Sequence, residues 1–212
     1  MDRFASMATV LETGGVMMIP LSLLALLALV IFLDKVYLLW TCARLPKPLL
    51  DLVETYGFDW GALEGKVGAL GPGHLFGRFF GVILTHRTRP AWWVESRAAD
   101  ETGVIEKSMG RGLWVLETIV TAAPLMGLLG TIIGMFSAFS LFGGKGLVDP
   151  KGVTGGVAQA LIATAFGIFI ALFSLFACNF LSRLQASTLD DLERIGTRLI
   201  DHIRMEQKDF PQ

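Results

Sequence analysis

Two hydroxyls, Thr131 and Thr164, are the residues of this 212-residue chain best placed to act on an ion. Each lies in a long run without charge: Thr118 to Phe142, about 25 residues, and Gly152 to Ser182, about 31, against the roughly 20 that a helix needs to cross the hydrocarbon core. With a rise of about 1.5 Å per residue, Thr131 falls about 17 Å from the outer end of its run. Thr164 falls about 14 Å from that same face. A lone threonine in a membrane helix usually bonds a carbonyl of its own preceding turn. Two at one depth, each on a glycine-rich face, would form a polar ring if several copies of the chain surrounded an axis.

Those hydroxyls depend on a helical hairpin to position them. Between the two runs, GGKGLVDPK (143–151) carries three glycines, a proline and three charges, which suits a tight turn in water and makes the helices antiparallel neighbours. Small residues recur at helical spacing on both. One stripe runs Ala123, Gly127, Gly130/Thr131, Gly134, Ala138; the other runs Gly156, Ala160, Thr164, Gly167, Ala171, Ser174, Cys178. In lipid such stripes let backbones approach, Gly130 and Gly134 forming the tightest small-xxx-small pair. The plain structural reading is that the stripes only hold the hairpin together.

Composition narrows the function classes. The chain is 53% hydrophobic with a mean hydropathy of +0.58, values of an integral membrane protein. A net charge of −1 gives no reason to expect nucleic acid. Cys42 and Cys178 cannot build a disulfide framework, and no Cys/His spacing suggests a metal. His74, His86 and His202 are scattered and fit solvated or structural roles. No Ser/His/Asp set, paired carboxylate or phosphate loop is present, so neither catalysis nor ATP hydrolysis is expected, and no cofactor. Spans that pass ions usually hold an ionisable residue at depth, yet Asp34 and Glu117 sit only at inner helix ends, where Lys35, Arg111 or lipid headgroups are their natural partners. A conducting chain of this composition needs a carboxylate from another chain.

Taken in order, the chain reads as an all-α membrane protein with three transmembrane helices and helical cytoplasmic extensions. Residues 1–15 form an outer segment. The first span is 16–40, built on VMMIPLSLLALLALVIFL (16–33) with Pro20 in its first turns, where the missing N–H costs least; it lacks the charged start and cleavage site of a signal peptide. Residues 41–113 form a soluble helical region. In it Phe76, Phe79, Phe80, Ile83 and Leu84 mark one buried helix face. Val94, Ala98, Ile105 and Met109 continue a helical period towards the second span, so that this helix could enter the membrane unbroken, with Gly110 and Gly112 as the weak points. The second span is 114–142, the turn 143–152 and the third span 153–182. A C-terminal helix, 183–212, carries apolar Leu184, Leu192, Ile195, Leu199 and Ile203, and from Gln207 the tail is expected to be loose. About fifteen of the eighteen Lys and Arg fall in Lys35–Arg111 and after Ser182. By the positive-inside rule the soluble region and carboxyl terminus are cytoplasmic and the amino terminus is outside.

APLMGLLGTIIGMFSAF (123–139), then DPKGVTGGVAQALIATAFGIFIAL (149–172) and Asn179, resemble the TolQ/ExbB/MotA proton-channel family, as do GGVMMIPL (14–21) and the pair Asp34-Lys35. Three spans look like its TolQ/ExbB branch. The resemblance implies a homopentamer in the bacterial inner membrane, its second and third spans around a central pore. Inside would sit a dimer of a single-span partner similar to ExbD, TolR or MotB, whose membrane Asp supplies the missing carboxylate. Ion entry at that Asp would turn pentamer against dimer and deliver force to the cell envelope. Thr131 and Thr164 are then pore hydroxyls, Pro124 shapes the inner part of the second span, and Gly127, Gly130, Gly134, Ala160 and Gly167 set packing and pore shape.

This chain departs from the family at three points. Gln159 stands where many TolQ and ExbB proteins carry Glu, so the role of that membrane-edge acid does not transfer. Ala171-Leu172-Phe173-Ser174 replaces a common Ala-Ile-Pro-Ala. Ala163, rather than a second threonine, leaves fewer oxygens for sodium and favours the proton, with sodium as the alternative. A non-conducting scaffold that oligomerises through its glycine stripes is the competing reading.

Overall fold

The computed structural model describes residues 15–42, 47–54, 58–71, 73–140 and 150–209. These form seven helices and, among the described residues, no strand: α1 (Met18–Cys42), α2 (Lys47–Glu54), α3 (Trp60–Gly68), α4 (Leu75–His86), α5 (Ala91–Gly110), α6 (Leu113–Ser140) and α7 (Pro150–Asp209). Three stretches are long and apolar enough to cross a membrane, in α1, in the segment that ends with α6, and in α7. The fold is the expected all-α membrane architecture with three spans. The outer segment lies outside the described residues except Gly15, and so does the turn up to residue 149.

Two compact units emerge. The first comprises the described parts of Met1–Leu33 and Gly112–Phe180; the second comprises those of Asp34–Arg111 and Leu181–Gln212. The first unit therefore holds most of α1, all of α6 and the first half of α7. Its buried positions are mostly small: Ala28, Ala123, Gly127, Gly130, Gly134, Ala138, Ala160 and Ala163. Large apolar side chains such as Leu23, Leu26, Leu125, Ile132, Phe136, Leu161 and Phe169 point outward. That inversion of a soluble protein's pattern is what lipid as solvent selects, because tails are as apolar as leucine and only close packing holds helices together.

The second unit has a conventional core. Phe76, Phe79, Phe80 and Ile83 of α4 are each at most 2% exposed, as their spacing predicts. They are joined by Val94, Ala98 and Ile105 of α5 and by Leu192, Ile195, Leu199 and Ile203 of α7. Gly196 is required where it stands: a Cβ there would lie 2.8 Å from Cζ of Phe79. At the margin, Asp59 caps α3 by accepting from the amides of Gly61 and Ala62. The indole N–H of Trp60 donates to Glu206 Oε1 at 2.6 Å.

Two expectations need correction. The helix before the second span does not enter it unbroken: α5 stops at Gly110, Arg111 is extended (ψ 121°), and Gly112 has φ +89°, a conformation that glycine adopts without the steric cost of a Cβ. Of the tail expected to be loose, residues 207–209 instead continue α7, and 210–212 lie outside the described residues. Gln207 Nε2 donates to the Arg89 carbonyl at 2.8 Å, and its Oε1 accepts from the Ala91 amide at 3.3 Å. It thereby satisfies one of the free N–H groups at the start of α5.

Candidate ion-pathway site

The antiparallel pair α6 and the first half of α7 meets glycine against backbone. A Cβ on Gly127 would lie 3.0 Å from the Ala163 carbonyl oxygen and from Thr164 Cα; on Gly134, 2.9 Å from Ala160 Cβ; on Gly156, 2.9 Å from Ala138 Cβ. At Gly167 it would lie 2.5 Å from the Ala123 carbonyl oxygen, a backbone atom that cannot step aside. The two small-residue stripes thus face each other within one chain. Gly130 does double duty, because its missing side chain makes room for Ala163 and for Met17, just before α1.

Thr164 uses this closeness. Its hydroxyl donates across the interface to the Gly127 carbonyl oxygen at 2.9 Å. That carbonyl is also the i−4 acceptor of the Thr131 amide in a regular helix, so one oxygen links both threonine positions and the two lie about one turn apart. The Thr131 hydroxyl turns back to its own helix, donating to the Leu128 carbonyl at 2.6 Å, and its neighbours Thr118 and Thr121 do likewise. Both threonine oxygens have spent their proton and keep lone pairs for accepting. They can take a hydrogen bond from water or a hydronium, or contact a cation, but cannot carry a proton themselves.

Pro124 lies half-buried inside α6. Its missing N–H leaves the Val120 carbonyl without its helical donor, one turn from the Ala123 carbonyl that presses on Gly167. Gln159 is half-buried, and its amide packs directly over Gly15, whose φ of +71° and lack of a side chain make the space. No periodicity in the sequence signals this contact. Farther along the same helices, Phe32 and Phe173 meet edge-on at 5.7 Å.

Asp34 and Glu117 are exposed, and neither enters an ion pair among the described residues. Lys35, only 6% exposed, donates to the Ser108 carbonyl at 3.2 Å rather than to the neighbouring carboxylate. That bond ties α1 to the end of α5 within the second unit.

Residues 77–194 match the MotA/TolQ/ExbB proton channel family, a stretch that includes both threonines and the facing glycines. The chain belongs to that family. Curated relatives include the biopolymer transport protein ExbB of Aquifex aeolicus, 40% identical over 43% of this chain and 62% of that protein. The putative biopolymer transport protein ExbB-like 1 of Synechocystis is 32% identical over 88% of this chain and 74% of its own. ExbB of Xanthomonas campestris is 37% identical over 42% of this chain but covers only 36% of the relative. The chain thus spans less than two thirds of the Aquifex protein's length and about a third of the Xanthomonas one's. As a member of this family with three helices long and apolar enough to cross a membrane, it is a multi-pass membrane protein.

Proposed function

We propose that the chain is the multi-span subunit of an ion-driven motor in the bacterial inner membrane, with its amino terminus outside and its carboxyl terminus in the cytoplasm. In this reading five copies surround a dimer of a single-span, ExbD- or TolR-like partner. The ion is a proton, and the work goes into the cell envelope. The observation that carries the reading is the Thr164 hydroxyl on the Gly127 carbonyl, one turn from Thr131. It sets two oxygens at one level in a pair of spans that have no acidic, basic or histidine side chain from Thr118 to Phe142 or from Gly152 to Ser182. Acceptors without a titratable group can conduct a proton towards a carboxylate but cannot replace it, so the carboxylate belongs to the partner.

Proton flux into liposomes tests this, with the chain alone, with the partner, and with the partner's membrane Asp→Asn form. Flux only with the intact partner is the expected result. No flux from an assembled complex under a proton gradient, but flux under a sodium gradient, would replace the proton by sodium. No flux under either would leave a scaffold. Such a scaffold would have to oligomerise through surfaces other than the glycine stripes, which are already used within one chain.

A further inference from the structure

Among the described residues of the first unit one side chain is acidic: Glu117, in the second turn of α6. It is exposed, and among the described residues it has neither an ion pair nor a side-chain hydrogen bond. A charge inside a span is costly, and acids placed there mark ion pathways. The packing of the first unit makes no use of this one.

Helical phase puts Glu117 on a definite flank of α6. On one side of the seam between α6 and α7, Met17 packs at Gly130 beside Ala163. At about 100° per residue, Gly127 lies roughly 60° round α6 from Gly130, and Thr131, Pro124 and Glu117 lie roughly 100°, 120° and 140° round in the same sense. Thr164 bonds the Gly127 carbonyl, so it too belongs to the flank turned away from Met17. Thr131, Pro124 and Glu117 stand seven residues apart. Seven residues are close to two turns, which makes them one column about 21 Å long.

Acceptors lie along that column. At its outer end the Thr131 hydroxyl has given its proton to the Leu128 carbonyl. Lower down, Pro124 leaves the Val120 carbonyl without its helical donor. The Thr121 hydroxyl, one turn from Glu117, donates to the Thr118 carbonyl at 2.9 Å and keeps lone pairs for accepting. Glu117 is the group at the inner end that can bind a proton outright.

We infer that Glu117 is the inner proton acceptor of the pathway proposed above. Protons that pass the threonine level come down this flank of α6 on water and bind the Glu117 carboxylate, giving a neutral carboxyl group. That group then releases the proton to water on the inner side as hydronium, which restores the carboxylate. The inference rests on the ion-driven reading, and it gives this chain an acid of its own, placed after the threonines and not among them. The other acid of an inner helix end, Asp34, lies on α1 in the second unit and serves as the comparison.

The test is proton flux into liposomes that hold the full-length chain with its single-span partner. Unaltered protein, Glu117→Gln, Glu117→Asp and Asp34→Asn are compared, each first checked for oligomer size and partner content. Glu117→Gln keeps the size of the side chain and removes its proton site, so flux should fall several-fold with assembly unchanged. Glu117→Asp should retain most of the flux and Asp34→Asn all of it. Equal flux in Glu117→Gln and the unaltered complex would overturn the inference and leave the motor reading standing. Loss of assembly in Glu117→Gln would also overturn it, by making the acid a packing group, as would an equal fall in Asp34→Asn, by reducing the effect to surface charge. An assembled, unaltered complex that passes no protons would overturn both the inference and the reading beneath it.

Discussion

The two units of this chain are packed by opposite means. In the second, bulky side chains fill the interior: Phe76, Phe79, Phe80 and Ile83 are buried to 2% exposure or less, and Gly196 is small because a ring needs its place. In the first, α6 and α7 meet through glycines, alanines and backbone, and most bulky side chains are outside, with Met18, Leu21, Leu116, Ile119 and Ile170 the buried exceptions. The difference follows from the solvent. Water rewards burial of each large apolar group by about 1.5–3 kcal/mol; lipid does not, so α6 and α7 gain mainly by approaching until carbonyls and Cα atoms touch.

The contrast predicts that a deletion damages one unit and an addition damages the other. The largest effect is expected from Phe79→Ala, which empties the centre of the second unit and should cost about 3–5 kcal/mol. Proteolysis of Lys35–Arg111 in detergent would report it, and resistance equal to that of the unaltered protein would show that the phenylalanine cluster is not the core of that unit. Next comes Gly167→Ala. One added methyl meets the Ala123 carbonyl at 2.5 Å, and pushing the helices apart should cost about 1–3 kcal/mol, read as easier unfolding in a denaturing-detergent titration. Gly103→Ala, where the same methyl meets nothing, is the control that should leave stability unchanged or slightly raised.

How much of this the sequence could carry depended on the range of the signal. Three spans and the Phe76 to Ile83 face were legible because they repeat with the helical period and need no knowledge of a partner. The glycine stripes were legible as stripes, but a small residue does not say whether it approaches its own hairpin or a neighbour. The facing of Gly127 on Thr164 and of Gly134 on Ala160 had to be seen. Gln207 over the start of α5, Lys35 on the Ser108 carbonyl and Gln159 over Gly15 are single contacts between residues 73 to 144 positions apart, and no periodicity encodes them. The break at Gly112 was signalled by composition alone, and its left-handed φ explains why Gly112, and not Gly110, ends the continuity.

A smaller pair of effects separates structure from conduction at the two threonines. Thr164→Ala removes the bond to the Gly127 carbonyl, which keeps its own helical donor, so the loss should be about 0.6–1.7 kcal/mol. Thr131→Ala removes a bond within one turn of α6 and should leave stability nearly unchanged. Both should lower ion flux while the oligomer persists, and Thr164→Ser should restore flux by returning the oxygen. Flux unaffected in both alanine variants would assign the threonines to packing.

The smallest effect sharpens the comparison from the polar side. Arg204 bridges Glu95 at 2.8 Å and Asp201 at 3.3 Å, two charged contacts against the one neutral bond of Thr164 at 2.9 Å. Yet both its carboxylates and the guanidinium are about half exposed. Water competes for every one of these charges, and ordering the long side chains offsets much of the attraction, so Arg204→Ala should cost only about 0.2–1 kcal/mol and less as salt is raised. The neutral bond at Thr164 should show no such salt dependence. If Arg204→Ala instead proved the costlier of the two at high salt, the ion pairs at the margin of the second unit would be holding α5 to α7 in their own right, and the side-chain core would be less than the whole account of that unit.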